Sequence, residues 1–504
     1  MNLGIRKRVT NLLKPGEGLA QRAARSGVWV YATNIAEQVF SLIRVIILAR
    51  LLAPYDFGLV GVALLAVAVL DVLTVTGFEQ GLIQKKGDIK SYLDTAWSVA
   101  VVRGVILALV LFGVAPLVST FFESPAVLPI LRVTAIYCLL HGLTNIGIVY
   151  FRKELDFGKQ FIYRLSGTVA DLAVAVTAAL ILRSAWALVF GLLAASAVRC
   201  VVSYIIHPYR PRFNFQLGQA KELFKFGKWL LASSIVVFLA TQGDDAFVSK
   251  VLGITMLGFY QMAFRLGNLA ASEIGVISRV AFPIYSKLQD NIPVLRDTYL
   301  KIIRLVNFTA IPFAIGMFIL APQFTQLFLG DKWMPIVLAL RIFAVSVIIR
   351  VIDGTGGALF YAVGRPDMAF KQDLARVITL AIAIYPLTML WGMPGTALAV
   401  LLAVCASFPI WIFGSIKLGR IKIVDFLRTL LPPLISAAIM CAAIFGFGMA
   451  VDQFQWPWFL TSVAIGIGTY FGSIVFIEKV SDYKVFNDMK FVLNALKSGE
   501  KKAS

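Results

Sequence analysis

The chain has 504 residues, of which 59% are hydrophobic and 15% charged, and its mean hydropathy is +0.84. A soluble globular protein carries about 25% charged residues, and a disordered chain has far fewer apolar ones, so both classes are excluded. Apolar runs of about 18–25 residues, long enough to span a bilayer core, recur from end to end. Since these runs lack strict alternation, we predict an all-α polytopic membrane protein and not a β-barrel.

In chain order, the apolar runs predict fourteen transmembrane helices. Short links separate them, such as Trp391-Gly392-Met393-Pro394, where glycine and proline end one helix and begin the next. The predicted spans are residues 26–48, 57–78, 95–115, 128–150, 160–182, 186–206, 226–248, 254–280, 302–321, 334–361, 372–391, 394–416, 427–450 and 456–477.

Lysine and arginine are concentrated on one side of this topology. The two termini and alternate links hold nearly all of them, whereas the opposite links hold only Arg50, Arg183, Lys250 and Lys332. The positive-inside rule therefore predicts a multi-pass protein of an inner (cytoplasmic) membrane with both termini cytoplasmic. The net charge of +20 follows from this topology and suits anionic membrane lipids, so we expect no nucleic-acid partner.

The sequence contains an internal repeat. Leu52 and Gly58 match Leu252 and Gly258 at an offset of 200 residues, and similar weaker matches follow further along each half. Two copies of six helices predict two pseudo-symmetric lobes with a substrate site between them. We predict a basic N-terminal segment (1–25), an N-lobe (26–206), a linker (207–225), a C-lobe (226–416), two further helices (417–477) and a basic cytoplasmic tail (478–504).

Polar residues form a stripe along one face of two predicted helices. A lipid-facing stripe of this kind is very unfavourable, so protein or water must cover both faces, and a polar cavity would explain them. The polar cavity or gating candidates are Asn34, Glu37, Gln38 and Ser41 on the first helix, and Gln261 and Asn268 on the eighth.

Arginines outnumber acids deep in several predicted helices. Unpaired cations in a membrane cavity indicate an anionic substrate, and the guanidinium fork suits phosphate. The alternative is that these charges form buried pairs that fix helix packing, for which Glu37 with Arg44 and Arg350 with Asp353 have suitable spacing. The candidate substrate-binding cations are Arg44, Arg103, Arg132, Arg265, Arg341 and Arg350.

Several carboxylates also lie within predicted spans. Such groups bind coupling cations or protons in transporters, or serve as gate contacts. The candidates are Asp244, Asp245, Asp71, Glu273 and Asp353. The sequence has no nucleotide-binding glycine motif, no metal-ligand spacing among its four cysteines and no long outer loop for a membrane polymerase, so we expect a transporter without cofactors and not an enzyme.

Four segments resemble a known family. They are 47–58 (ILARLLAPYDFG), 77–84 (GFEQGLIQ), Asp244-Asp245 and 281–288 (AFPIYSKL). They are similar to the polysaccharide-transporter (Wzx-type) branch of the MOP flippase superfamily, in particular to colanic-acid exporters. The resemblance implies two six-helix lobes in a V around a cationic cavity, with Arg44, Arg132, Arg265 and Arg341 as cavity cations and Asp245 at a motif position.

The resemblance also implies a function. The family moves undecaprenyl-diphosphate-linked oligosaccharide repeat units from the cytoplasmic to the outer leaflet by alternating access, for exopolysaccharide or O-antigen synthesis. The implied partners are this polyprenyl-linked oligosaccharide, membrane lipids, and a polysaccharide polymerase with other export components. Two alternatives stay open: a MATE-type ion-coupled antiporter of small organic molecules, and a lipid II flippase of the MurJ type.

Overall fold

The computed structural model describes residues 19–74, 77–85, 89–154, 156–269, 281–282, 284–449, 455–481 and 483–489. In these ranges the chain is helical and contains no β-strand. Ten helices there are long and apolar enough to span a membrane, or eleven if one bent pair is counted as a span. Because one of the ten is a kinked 54-residue segment and several predicted spans extend beyond the described residues, the fourteen spans stay a prediction.

The helices are numbered here in chain order. The first eight are α1 Leu19–Leu51, α2 Pro54–Leu73, α3 Phe78–Gln84, α4 Lys90–Phe121, α5 Val127–Leu143, α6 Val149–Lys153, α7 Phe157–Leu182 and α8 Trp186–Ile206. The others are α9 Leu217–Val251, α10 Ile254–Gly267, α11 Ile292–Phe324, α12 Val337–Ala362, α13 Pro366–Gly419, α14 Ile423–Gly448 and α15 Trp456–Val480.

Two breaks interrupt long apolar runs. The predicted turn near Gly392 is confirmed: its φ of 60° and ψ of −138° divide α13 into two helices. The single helix predicted over 128–150 is wrong in its second half, because α5 ends at Leu143 and the chain bends by 63° before continuing. Asn145 stabilises this break by accepting a hydrogen bond from the Gly147 N–H at 2.9 Å, as a helix N-cap does.

Contacts divide the chain into two compact units. Unit 1 contains the described residues up to Leu51 together with Ala66–Ser234, and unit 2 contains Leu52–Leu65 and the described residues of Ile235–Phe491. In unit 2, α14 and α15 pack on α11, where the Tyr470 hydroxyl donates to the Phe308 carbonyl at 2.8 Å. The predicted lobe boundaries stay a prediction, and the segment 52–65 belongs by its contacts to unit 2.

The start of α2 crosses the start of α10 at very short range within unit 2. A Cβ atom added to Gly58 would lie 1.9 Å from the Ile254 carbonyl oxygen, and one added to Gly258 would lie 2.0 Å from the Pro54 carbonyl oxygen. These two contacts are equivalent under the 200-residue offset of the internal repeat. Only glycine lets two helix backbones approach so closely, so the repeated glycines build this crossing.

The chain after α8 is fastened to the start of α4 as an extended strap, residues 207–216. Ser98 exchanges hydrogen bonds with the backbone of Asn214, and the Asp94 carboxylate accepts from the Tyr209 hydroxyl and from the Arg212 N–H. The strap therefore belongs to unit 1, and helix α9 begins directly after it at Leu217, ahead of the predicted span at 226–248.

We expect Gly58→Ala to destabilise the protein, because the added methyl group forces the α2 and α10 backbones apart. Overpacking of this kind costs about 1–3 kcal/mol. Gly258→Ala should have a similar effect, and the double variant should lose less than the sum since both substitutions disrupt one crossing. Melting of the purified protein in detergent measures these changes.

Gly316→Ala is the matched control, because it lies in helix α11 and an added Cβ meets nothing within 4 Å. There the substitution should be neutral or stabilising by up to about 1 kcal/mol. Equal melting temperatures for Gly58→Ala and Gly316→Ala would contradict the close crossing.

Candidate functional site

Two ion pairs join α1 to α7 within unit 1. Arg164 donates to the Glu37 carboxylate at 2.5 Å, and Arg44 lies 2.9 Å from Asp171. Each pair joins residues 127 positions apart, so the two helices run in the same direction. All four side chains are at most one-third exposed, and such pairs hold the helices in register.

These pairs change the interpretation of the polar face of α1. The within-helix pair of Glu37 with Arg44 is wrong, because each residue pairs with α7 instead. Arg164 and Asp171 were not predicted as their partners. The sequence does contain a pattern that indicates this pairing: α1 has an acid followed seven residues later by an arginine, and α7 has an arginine followed seven residues later by an acid. Asn34, Gln38 and Ser41 lie half-buried on α1.

Arg103 of α4 reaches the C-terminal end of α2. Its Nε donates to the Thr74 carbonyl at 3.0 Å, and its Nη2 donates to the Asp71 carboxylate at 2.7 Å. The guanidinium thus satisfies a carbonyl left without a partner at the helix end and complements the negative end of the helix dipole. Two predicted site residues, the cation Arg103 and the carboxylate Asp71, are therefore brought together as a pair.

Asp244 and Asp245 of α9 each contact α10 in unit 2. The Tyr260 hydroxyl donates to Asp244 Oδ2 at 2.5 Å, and Gln261 Nε2 donates to Asp245 Oδ2 at 2.8 Å. Asp244 is only 4% exposed, and its Oδ1 is buried with no hydrogen-bond partner in the described parts of the chain. A buried carboxylate with one oxygen that lacks a hydrogen-bond partner can bind a proton or a cation.

Arg350 and Asp353 of α12 lie one turn apart but have different partners. Arg350 donates to Asn268 Oδ1 at 2.8 Å and lies over the Phe264 ring at 5.3 Å. Asp353 is buried and accepts hydrogen bonds from Gln372 and Arg376 of α13. The within-helix pair of Arg350 with Asp353 is therefore wrong, and among the described residues no carboxylate lies within ion-pair distance of Arg350.

Arg132 and Arg341 occupy equivalent places in the internal repeat. Each lies in the first two turns of its helix, α5 or α12. Arg132 lies over the Phe112 ring at 4.8 Å, and Arg341 lies over the Phe318 ring at 5.6 Å. Cation–π contacts leave the charge uncompensated, and in the described chain neither arginine has a carboxylate within ion-pair distance.

Two further candidates complete the set. Arg265 is exposed on α10, one turn beyond Gln261, and Glu273 lies outside the described residues. The predicted residues thus form separate clusters: the α1–α7 pairs and the Arg103–Asp71 pair in unit 1, and the α9–α10 and α12–α13 clusters in unit 2.

The chain is similar to one family model and to several known proteins over most of its length. A family model described as polysaccharide biosynthesis protein matches residues 47–338. The lipopolysaccharide biosynthesis protein WzxC of Escherichia coli K12 is 26% identical over 404 residues, covering 79% of this chain and 82% of that protein. A membrane protein of the cps region of Klebsiella pneumoniae is 24% identical, covering 95% of this chain and 99% of its own. With the apolar helices, these relatives identify a multi-pass membrane protein.

The fold has a solved counterpart. The lipid II flippase MurJ in its inward closed conformation superposes with a TM-score of 0.72 at 16% identity, covering 90% of this chain and 99% of that chain. At this identity the likeness shows the fold alone.

We expect Arg44→Ala to destabilise unit 1, because it removes the guanidinium that lies 2.9 Å from the Asp171 carboxylate between two largely buried side chains. Breaking a buried pair costs about 3–5 kcal/mol, and adding Asp171→Ala should recover much of the loss. A double-mutant cycle on the free energy of unfolding measures this coupling.

The matched control is the Arg152–Glu79 pair, whose side chains are 49% and 44% exposed. Its coupling should be at most about 1 kcal/mol, as for other solvent-screened pairs. If Arg44 and Asp171 gave additive effects, the pair would have no structural role.

Proposed function

Because the chain belongs to the family of polysaccharide biosynthesis proteins matched over residues 47–338, we propose that it is a flippase. In this proposal it moves polyprenyl-diphosphate-linked oligosaccharide repeat units from the cytoplasmic to the outer leaflet by alternating access. The resemblance to this family noted from sequence segments is confirmed by the match. Relatives named for polysaccharide biosynthesis, such as WzxC, support a substrate of this class.

One structural observation carries the choice of an anionic headgroup. Arg132, Arg341 and Arg350 all lack a carboxylate within ion-pair distance in the described parts of the chain, and each lies over an aromatic ring. A guanidinium in an apolar surrounding is costly unless it meets an anion. A diphosphate supplies the oxygens that a guanidinium fork binds best.

We expect Arg350→Gln to slow flipping by about tenfold or more, because a hydrogen bond between charged groups contributes about 1.5–3 kcal/mol. Arg350→Lys keeps the charge but loses the fork and should retain intermediate activity. The measurement is the appearance of a fluorescent undecaprenyl-diphosphate oligosaccharide in the opposite leaflet of liposomes that contain the purified protein.

Arg296→Gln is the control, because this arginine pairs with its neighbour Asp297 on an exposed part of α11. It should flip at the wild-type rate. Two results would overturn the proposal: wild-type protein that flips no polyprenyl-linked saccharide but takes up an organic cation along an ion gradient, or one that flips lipid II alone.

Asp244 and Asp245 are proposed to couple transport to a cation or proton. Adjacent carboxylates on α9 share a buried site with a tyrosine and an amide, and one carboxylate oxygen is left without a partner among the described residues. Two acids so close disfavour double ionisation unless a cation or a proton joins them.

In the same liposomes, an imposed Na⁺ or proton gradient should accelerate flipping by the wild-type protein. Asp245→Asn should abolish this acceleration and leave the slow, gradient-independent rate, since the amide has neither a negative charge nor a proton that titrates near neutral pH. Gln261→Ala, which removes only the hydrogen-bond donor to Asp245, should keep a reduced response. An unchanged response in Asp245→Asn would exclude coupling at this pair.

A further inference from the structure

Unit 1 contains a cavity of about 390 Å³ between α4, α5 and the break after α5. Asn145, which is fully buried, lines the cavity at this break. It stabilises the bend by donating from Nδ2 to the Tyr209 carbonyl and from its backbone N–H to the Ser203 hydroxyl. At its base α4 and α5 cross closely, since a Cβ on Gly142 would lie 2.7 Å from the Ala100 carbonyl oxygen. Well-anchored backbone therefore forms part of the cavity wall.

The charges that line this cavity are already balanced. Asp71 is paired with Arg103, and Glu79, a second lining carboxylate, is paired with Arg152 at 2.6 Å. The two carboxylates remain 43% and 44% exposed and can accept further hydrogen bonds. Arg103 uses Nε and Nη2 for its bonds, so Nη1 has no partner among the described residues. The lining therefore offers donors and acceptors without excess charge.

Aromatic side chains supply the rest of the wall. Tyr137 and His141 lie one turn apart on α5 with ring centroids 6.1 Å apart, and Tyr163 of α7 also faces the cavity. Both tyrosines are half-buried, and in the described chain neither hydroxyl has a hydrogen-bond partner. Flat apolar faces, beside tyrosine hydroxyls and carboxylates that can accept further hydrogen bonds, suit a ring that has apolar C–H faces and polar edges.

These features select the ligand class. An acyl or polyprenyl chain would leave Arg103 Nη1 and the hydroxyls of Tyr137 and Tyr163 without hydrogen bonds. A diphosphate would meet two carboxylates, and an organic cation would find no net negative charge because both acids are paired. A volume near the lower end of the usual range for ligand pockets, about 300–1,000 Å³, suits a small ligand.

We propose that this cavity is a saccharide subsite that binds a neutral mono- or disaccharide part of the glycan headgroup. It rests on the proposed function, and assigns glycan recognition to Tyr137, Tyr163 and the Asp71–Arg103 pair, separately from the phosphate-binding arginines. The cavity is lined by the first half of α4, from Ala96 to Leu107, and the start of this helix is the end that the charge distribution predicts to be cytoplasmic.

The test compares two probes that differ only in the glycan: undecaprenyl diphosphate, and the same carrier with a neutral pentasaccharide. Their Kd values are measured on the full chain in nanodiscs. Tyr137→Ala with Tyr163→Ala should weaken pentasaccharide-carrier binding about tenfold or more and leave the Kd of undecaprenyl diphosphate unchanged. Arg350→Gln should weaken both probes alike. Tyr361→Ala, an exposed tyrosine of α12, is the control and should change neither.

The outcomes separate this inference from the proposed function. Failure of both probes to bind the wild-type protein would overturn the proposed function. Binding of both, with equal losses or no loss in the double tyrosine variant, would overturn the subsite alone. Tight binding of tetraphenylphosphonium that is lost in Asp71→Asn would reassign the cavity to organic cations. If the double variant unfolds, Tyr137→Phe with Tyr163→Phe keeps the rings, and a pentasaccharide-specific loss of about threefold is then expected.

Discussion

A charge placed among apolar helices has to be met by an opposite charge or by hydrogen bonds, and this requirement organises both units. In unit 1 it joins α1 to α7 through Arg44 with Asp171 and through Arg164 with Glu37. In unit 2 it joins α12 to α13 through Asp353. Most of the charges deep within the described helices form such pairs. The guanidiniums of Arg132, Arg341 and Arg350 differ, because in the described chain no carboxylate lies within ion-pair distance of them.

The internal repeat adds a second constraint, which concerns the backbone. Gly58 and Gly258 occupy equivalent positions in the two copies, and each lies against the other copy's first turn within unit 2. Trp333, which is fully buried, packs edge-on against Phe57 on one side of this crossing and Phe259 on the other. A side chain at either glycine would separate the two helices, so both copies of the repeat need glycine at this position.

Local pattern was enough to predict that the chain is helical and that it turns at Gly392, because apolar length and glycine both act within one segment. Partners across helices could not be predicted in the same way. Which arginine meets Glu37 depends on the packing of α1 against α7, and the spacing within α1 pointed to Arg44 instead. The break at Asn145 was also missed, since its cap is completed by Ser203 and the strap, which are distant in sequence.

The distribution of charge also bears on specificity. In the proposed function every lipid-linked saccharide shares its diphosphate, so arginines such as Arg350, which has no carboxylate within ion-pair distance among the described residues, would serve any of them. The cavity beside Tyr137 has balanced charge and offers shape and hydroxyl contacts, which differ from one glycan to another. Discrimination between hydroxylated ligands comes from leaving buried polar groups unpaired when the wrong ligand binds. Under the proposed function and saccharide subsite, substitutions around the cavity should change glycan preference while carrier recognition is kept, because different side chains would determine the two.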